Sequence, residues 1–104
     1  MNEISYGMSN SEIIAELGRT YKKYRLALNL SQEAVAKQTG LSTKTIGKFE
    51  TGKAKNLTMQ GFLSLMRAIG MLEGVGTILP DIPLPPKVLE RIAKKERKRA
   101  SNGK

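Results

Sequence analysis

Residues 47–54, GKFETGKA, have the spacing closest to a nucleotide phosphate-binding loop in this sequence. They match the pattern G-x-x-x-x-G-K-[ST] at every position but the last, where Ala54 replaces the hydroxyl residue that holds magnesium. The chemistry of such a loop needs backbone amides at the start of a helix that follows a strand. Whether this stretch can bind phosphate in that way therefore depends on the secondary structure around it.

The residue types present argue against most other catalytic and metal-binding chemistry. The 104 residues include no Cys and no His, which removes thiol chemistry, disulfides, and the commonest general base and metal ligand. The few acidic residues are scattered singly, and a chain of this length forms one ordinary domain. We therefore expect no enzyme, no metal site and no cofactor.

The charge of the chain favours a polyanionic partner. The formal net charge is +9, and residues 87–104 alone hold eight basic and two acidic residues. Nucleic acid is the favoured partner, an anionic membrane surface is a weaker candidate, and a solvated basic tail is the alternative without a partner. The sequence shows no signal peptide and no apolar run of about 18 residues. We therefore expect that the protein is cytoplasmic, associates with the nucleoid through DNA and does not span a membrane.

The apolar spacing predicts an all-α protein, because apolar residues recur every three or four positions and no segment alternates as a strand. Four helices are predicted, followed by a short fifth helix or turn that reaches residue 79. The predicted N-caps are Ser11, Ser31, Ser42 and Thr58, and the predicted stops are Asn29, Gly40, Gly52 and Gly70. The segment PDIPLPP, residues 80–86, favours extended chain because of its X-Pro steps.

Residues 31–52 contain two short helices joined by a Gly-containing turn, which is the pattern of a helix-turn-helix. A plain helical hairpin has the same pattern, so surface chemistry must separate the two. With Ile46 and Phe49 turned inward, the outer face of the second helix is small, polar and basic, which suits the DNA major groove. The residues on this face are Thr43, Lys44, Gly47 and Lys48.

Two details of this second helix bear on the opening stretch. Gly47 costs the helix roughly 1 kcal/mol of stability relative to Ala. A glycine could be tolerated here because another surface approaches closely, or because sequence drift on a solvated face has little consequence. Because residues 47–50 lie inside the helix, we expect GKFETGKA to end a helix and its match to a phosphate loop to be accidental. Its lysines remain candidates for contacts with DNA phosphate.

Residues 31–52, SQEAVAKQTGLSTKTIGKFETG, resemble the DNA-binding core of the phage-repressor/Cro family, also called the XRE-type helix-turn-helix. The motifs are S-Q-E-x-V-A, G-L-S-x-x-T-I and F-E-x-G, and the resemblance covers about residues 13–79. It implies a five-helix, lambda-repressor-like DNA-binding domain. We expect this domain at residues 11–79, between a flexible leader at residues 1–10 and a Pro-containing linker with a basic, helical tail at residues 80–104.

The resemblance also implies roles for individual residues. Gln32 matches the family's residue that contacts a phosphate and braces the recognition helix. The positions that face bases and backbone are matched by Ser42, Thr43, Lys44 and Lys48, and the loop positions that meet phosphate by Lys53 and Lys55. Arg25 matches the family's Arg that pairs with the Glu at Glu50. Gly47 joins the candidate interface through its place on the outer face of the helix.

The charges around Glu50 also favour a pair with Arg25. Glu50 is the only acid between Glu33 and Glu73, and it lies among four lysines. A carboxylate on a DNA-facing surface would repel phosphate, so we expect Glu50 to turn inward and pair. A solvated Glu50 beside Lys53 is the alternative.

Several partners are predicted for the C-terminal part of the chain. The apolar residues near the end of the domain exceed the needs of a small core, so we expect some of them in a homodimer interface through the region after Ile69, with burial against the first helix as the alternative. They are Met66, Ile69, Met71, Leu72, Val75, Ile78 and Leu79. Residues 71–86 resemble in composition the end of HipB-type antitoxins, which implies a HipA-like toxin kinase as a second partner. The basic tail is interpreted as a phosphate-binding arm, as a protein-binding segment through Val88, Leu89 and Ile92, or as an aid to solubility.

The predicted function is sequence-specific binding to double-stranded DNA by a transcriptional regulator. We expect a repressor and, on the weaker resemblance, an autoregulatory antitoxin. The alternative is a protein- or RNA-binding adaptor with the same fold, because a fold does not fix a function.

Overall fold

Helices alone make up the secondary structure of the residues that the computed structural model describes, 3–82 and 85–102. They are α1 Asn10–Ala27, α2 Gln32–Thr39, α3 Thr43–Glu50, α4 Met59–Ala68, a 3-10 helix Leu72–Thr77, and α5 Pro86–Asn102. The predicted all-α class and lambda-repressor-like fold are confirmed. Of these described helices, none has the length and apolar character needed to cross a membrane.

The first helix begins earlier than the sequence analysis placed it. Ser9, not Ser11, is the N-cap of α1. The Ser9 hydroxyl accepts a hydrogen bond from the Glu12 amide at 3.1 Å, and the Ser9 amide donates to the Glu12 carboxylate at 3.2 Å. This reciprocal capping box needs an acidic or amide residue three positions after the cap, which Ser9 has and Ser11 lacks. Helix α1 therefore extends into the segment predicted as a flexible leader.

The other predicted helix boundaries agree with the structure. Ser31, Ser42 and Thr58 each accept a hydrogen bond from the amide three residues later, at 3.0–3.1 Å. Helices α1, α3 and α4 end in the same way, because a residue with positive φ allows two backbone amides to bond back to the last turn. The residues with positive φ at these ends are Asn29, Gly52 and Gly70.

The core receives apolar side chains from all four helices of the domain. Its buried members are Tyr21, Val35, Ile46, Phe49, Leu65 and Ile69. The Tyr21 and Phe49 ring centroids are 5.6 Å apart, and the Phe62 ring meets Phe49 edge-on at 6.3 Å. The Tyr21 hydroxyl donates to the Leu65 carbonyl at 2.9 Å, which joins α1 to α4 inside the core. Burial, together with the nearby charge of Glu50, raises the pKa of Tyr21 to about 12.

The C-terminal elements depart in detail from the predictions. The predicted fifth helix or turn is the 3-10 helix. Helix α5 begins at Pro86, a position where proline's fixed φ and missing amide are tolerated because a first-turn amide has no helical partner. Among the described residues, α5 packs against no other element. The predicted leader, linker and tail also include residues 1–2, 83–84 and 103–104, which lie outside the described residues.

The apolar residues from the last turn of α4 onward differ in their burial. Met66, Ile69 and Met71 pack in or against the core, as expected for apolar residues that are buried within the domain. Ile78 and Leu79 are 65% and 87% exposed. Only part of the apolar excess is therefore used inside the domain.

Gly18, which the sequence analysis did not single out, sets the distance between α1 and α3. A Cβ atom placed on Gly18 would lie 1.7 Å from the Phe49 carbonyl oxygen and 2.7 Å from the carbonyl carbon. Both atoms belong to the backbone of α3, so no rotation of a side chain could make room. The last turn of α3 therefore rests directly on the backbone of α1.

We expect Gly18→Ala to destabilise the domain. Alanine favours a helix over glycine by about 1 kcal/mol, but overpacking against backbone costs about 1–3 kcal/mol and more where nothing can move. The overlap at Phe49 should dominate, so thermal unfolding should show a midpoint lower by several degrees. Gly74→Ala is the matched control, because no heavy atom lies within 4 Å of that site. A Gly18→Ala protein that melts at or above the wild-type temperature would contradict this account.

Candidate nucleic-acid interface

The turn between α2 and α3 fixes the angle between the two helices. Gly40 ends α2 in the left-handed conformation with φ 76°, and Ser42 caps α3 two residues later. The Thr39 hydroxyl donates to the Val35 carbonyl at 2.8 Å and accepts from the Leu41 amide at 3.2 Å. The backbone of the turn is thereby held from the α2 side. Buried Val35 and Ile46 pack beneath it, which anchors both helices to the same core.

The outer face of α3 presents the predicted polar and basic residues to solvent. Thr43, Lys44 and Lys48 are exposed, and Gly47 is half-buried. Ser42 is exposed too, but its hydroxyl accepts from the Thr45 amide at 3.1 Å and lies 2.9 Å from the Thr45 hydroxyl. The N-terminus of α3 adds the positive end of the helix dipole to this surface. The face therefore combines hydrogen-bond donors with positive potential.

The exit of α3 adds a basic cleft beside this face. The Lys53 amide donates to the Lys48 carbonyl at 2.8 Å, and the Gly52 amide donates to the Phe49 carbonyl at 3.3 Å, so Gly52-Lys53 ends a helix. The chain then turns toward α4 and forms a cleft against α3. Its polar and basic lining residues are Thr45, Lys48, Lys53, Lys55 and Asn56.

Two of these lining residues were not predicted as part of the site. Thr45 was not counted among the residues of the outer face, and Asn56 was not considered. Thr45 precedes Lys48 by three positions, so the two share one side of the helix, and this spacing could have indicated its place. The position of Asn56 follows from the fold of the loop, which no local pattern revealed.

Arg25 and Glu50 form a buried, two-pronged ion pair between α1 and α3. Arg25 Nε donates to Glu50 Oε2 at 2.6 Å, and Arg25 Nη2 donates to Glu50 Oε1 at 2.9 Å. The exposed fractions of the two side chains are 7% and 1%. Arg25 Nη1 also donates to the Leu30 carbonyl at 2.8 Å, which ties down the turn before α2. The hydrogen bond that Arg25 donates to the Glu50 carboxylate raises the pKa of Arg25. Burial opposes this rise, and the negative charge of Glu50 adds to it.

Gln32 links this pair to the surface of α3. Its Nε2 donates to Glu50 Oε1 at 3.1 Å. The same amide group lies over Gly47, since a Cβ on Gly47 would sit 3.8 Å from Gln32 Nε2. That distance is an ordinary van der Waals contact, so packing inside the domain does not require glycine at residue 47. Gln32, at the start of α2, is therefore oriented by Glu50 and stands beside the outer face of α3.

The predicted site residues form two groups around α3, one on its exposed side and one on its buried side. The set Ser42, Thr43, Lys44, Gly47 and Lys48 lies along the helix, Lys53 and Lys55 lie at its exit, and Gln32 lies across from Gly47. Glu50 is on the opposite, buried side with Arg25. A solvated Glu50 beside Lys53, the alternative considered for the sequence, is excluded by this burial.

Helices α2 and α3 with their outer face define a helix-turn-helix DNA-binding domain. Residues 22–70 match the family model described as helix-turn-helix, which spans the end of α1 through α4. This match is consistent with the XRE/Cro family of helix-turn-helix domains and supports, at the level of that family, a DNA-binding transcription regulator. The predicted family is thereby confirmed. No curated protein matches the chain significantly.

We expect Arg25→Met to destabilise the domain strongly. Removing one partner strands the other charge in the interior, and breaking a buried pair costs about 3–5 kcal/mol. Denaturant unfolding of Arg25→Met, Glu50→Met and the double variant would measure this penalty as a double-mutant cycle. The double variant should lose less free energy of unfolding than the two single variants together, because it leaves no unpaired charge in the interior.

Arg67→Met is the control for the loss of an arginine, because Arg67 is exposed in the last turn of α4. Its effect should stay within about 0.5 kcal/mol, as is usual for surface substitutions. Equal, small losses for Arg25→Met and Arg67→Met would contradict a buried pair of this kind.

Proposed function

We propose that the chain binds double-stranded DNA in a sequence-specific manner and acts as a transcriptional repressor. The observation that carries this proposal is the division of charge on α3. Lys44 and Lys48 are exposed on one side, whereas Glu50, the only carboxylate of this helix, is buried on the other. Such a face attracts phosphate and can donate hydrogen bonds to base edges. A domain bound at a promoter represses by occupying DNA that the polymerase needs.

In this proposal, α3 lies in the major groove with its first turn toward the bases. The Ser42 hydroxyl is engaged in the helix cap, so Thr43 and Lys44 are the side chains that we assign to base edges. Lysine can reach guanine O6 and N7, and the threonine methyl can contact the methyl group of thymine. The exposed face lacks Asn, Gln and Arg, so DNA shape and phosphate contacts would contribute much of the affinity.

Phosphate contacts are assigned to residues on both sides of α3. Lys48, Lys53 and Lys55 surround the basic cleft and would act as point charges along one strand. Gln32 uses one amide hydrogen on Glu50, which leaves the second for a phosphate oxygen. The buried Glu50 would thus orient a DNA contact without approaching DNA itself.

We also propose a homodimer on a two-fold DNA site, formed through the segment after Ile69. Exposed Ile78 and Leu79 support it, because adjacent, largely exposed apolar side chains are typical of interaction surfaces. Helix-turn-helix dimers place two recognition helices about one turn of DNA apart.

An autoregulatory antitoxin role, with a HipA-like toxin kinase as partner, is a finer proposal within the same function. Its support is the compositional resemblance of residues 71–86 to HipB-type antitoxins. The gene beside this one tests it most directly, since a kinase-like toxin encoded there is the expected result.

Selection of bound sites from random double-stranded DNA should recover one preferred sequence. We expect Lys44→Ala to reduce the ratio of affinity for that site over unrelated DNA, by about 1–3 kcal/mol for a lost base contact. Lys53→Ala and Lys55→Ala should each weaken binding to both DNAs alike. Each should also make the slope of log affinity against log salt shallower by about 0.9, the contribution of one phosphate contact.

Lys37→Ala removes a similar charge outside the candidate interface and should change neither the ratio nor the salt dependence appreciably. A wild-type ratio near one would overturn the proposal in favour of an RNA- or protein-binding adaptor.

Gly47→Ala should raise stability and lower DNA affinity. The free domain has room for a methyl group there, and alanine gains about 1 kcal/mol of helix propensity. On the DNA-facing side, the added methyl group would hold α3 away from the groove. Thermal unfolding and DNA titration of the same variant would measure both effects. Gly7→Ala serves as the control, because Gly7 is exposed, lies outside both proposed interfaces and has only an ordinary contact at 3.8 Å. Undiminished affinity of Gly47→Ala would favour chance variation on a solvated face as the reason for this glycine.

A further inference from the structure

Helix α5 is the most strongly charged element of the chain. Pro86–Asn102 holds seven basic and two acidic residues. The helix packs against no other described element, and its side chains between residues 87 and 97 are exposed apart from half-buried Val88. Its positive charge is therefore not used inside the described domain.

Three of the seven basic residues of α5 share one face of the helix. Lys87, Arg91 and Lys94 follow the spacing i, i+4, i+7, which places three cations on one face. We call these three residues the basic stripe. At 1.5 Å of rise per residue they span about 10 Å, the axial length of roughly three phosphates on one DNA strand.

The short apolar face of α5 points elsewhere. Val88, Leu89 and Ile92 are centred roughly 140° around the helix from the basic stripe, at about 100° per residue. A surface that covers this apolar face would leave the basic stripe free. The two faces can therefore be considered separately.

Charge selects the partner of the basic stripe among the candidates. A second copy of α5 would bring like charges together, which disfavours it. An anionic membrane is bound by helices that combine charge with a broad apolar face rich in Trp, Phe and Leu, whereas α5 has three large apolar residues and no aromatic one. Duplex DNA carries a regular line of phosphates and requires no apolar insertion.

We propose that the basic stripe of α5 binds the phosphate backbone of duplex DNA beside the site occupied by the helix-turn-helix domain. This inference rests on the proposed DNA binding, because the domain brings the tethered helix to DNA. Residues 78–85 connect the 3-10 helix to α5 and can span at most about 29 Å. The tether keeps α5 at a high effective concentration near the bound duplex, so weak contacts add to the affinity.

The test compares full-length proteins on a mixed-sequence duplex of about 40 base pairs at several salt concentrations. The stripe variant carries Lys87→Gln, Arg91→Gln and Lys94→Gln. The slope of log affinity against log salt should become shallower by about 2.7, because each phosphate contact contributes about 0.9. Between about 50 and 200 mM salt, wild-type affinity should therefore fall roughly 40-fold more than that of the variant.

The matched control removes the same three charges elsewhere, through Lys22→Gln, Lys23→Gln and Lys37→Gln. These lysines are exposed on α1 and α2 and lie outside the candidate interface. The control should keep the wild-type slope. Equal slopes for the stripe variant and the wild type would overturn the proposal, and so would equal reductions in the stripe and control variants.

Two further arms separate the sources of failure. Binding to vesicles of phosphatidylglycerol and phosphatidylcholine should not depend on the basic stripe, and a loss there with an unchanged DNA slope would assign the stripe to membranes instead. The site preference of Lys44→Ala tests the recognition helix alone. A failed recognition helix with a shallower stripe slope would overturn sequence-specific binding while supporting the phosphate contact of α5.

Discussion

The buried pair of Arg25 and Glu50 is the interaction on which the arrangement of the helix-turn-helix depends. Arg25 of α1 bonds to both Glu50 oxygens at the end of α3 and to the Leu30 carbonyl before α2, while Gln32 at the start of α2 bonds to the same carboxylate. A buried ion pair gives little net stability, because desolvation offsets the attraction, but it is strict about geometry. One carboxylate therefore fixes three helices relative to one another.

The same pair determines the sign of the outer surface. Because the only carboxylate of α3 is buried and paired with Arg25, no negative side chain on the exposed face of that helix repels phosphate. The direct contact of α1 and α3 at Gly18 makes this possible, since it brings the last turn of α3 within reach of Arg25. A side chain at residue 18 would push α3 outward and lengthen hydrogen bonds that are now 2.6 and 2.9 Å. The absence of a side chain at Gly18 in α1 thus allows the ion pair that keeps the carboxylate of α3 away from its outer surface.

Most features set by local sequence were predictable, whereas among features set by the meeting of distant segments the Arg25–Glu50 pair was predicted and others were not. Ser31, Ser42 and Thr58 were recognised as caps because a cap bonds three residues away. The Ser9 cap was not predicted, although its partner Glu12 also lies three residues away and forms a local capping-box pattern with it. Gly18 has no local signature, because its requirement arises only where α3 crosses α1. The fate of Ile78 and Leu79 likewise depended on how much of the core the earlier helices filled.

The resemblance of GKFETGKA to a phosphate loop shows why backbone context outweighs residue spacing. A phosphate loop works because its amides are unpaired and point at the ligand. Here the amides of Gly52 and Lys53 donate to carbonyls of the preceding turn, so the backbone has no donors at these two positions to offer. A helix C-terminus also carries partial negative charge, which repels phosphate. Any phosphate near this stretch must therefore be held by side chains, and the lysines around the cleft supply that charge where the backbone cannot.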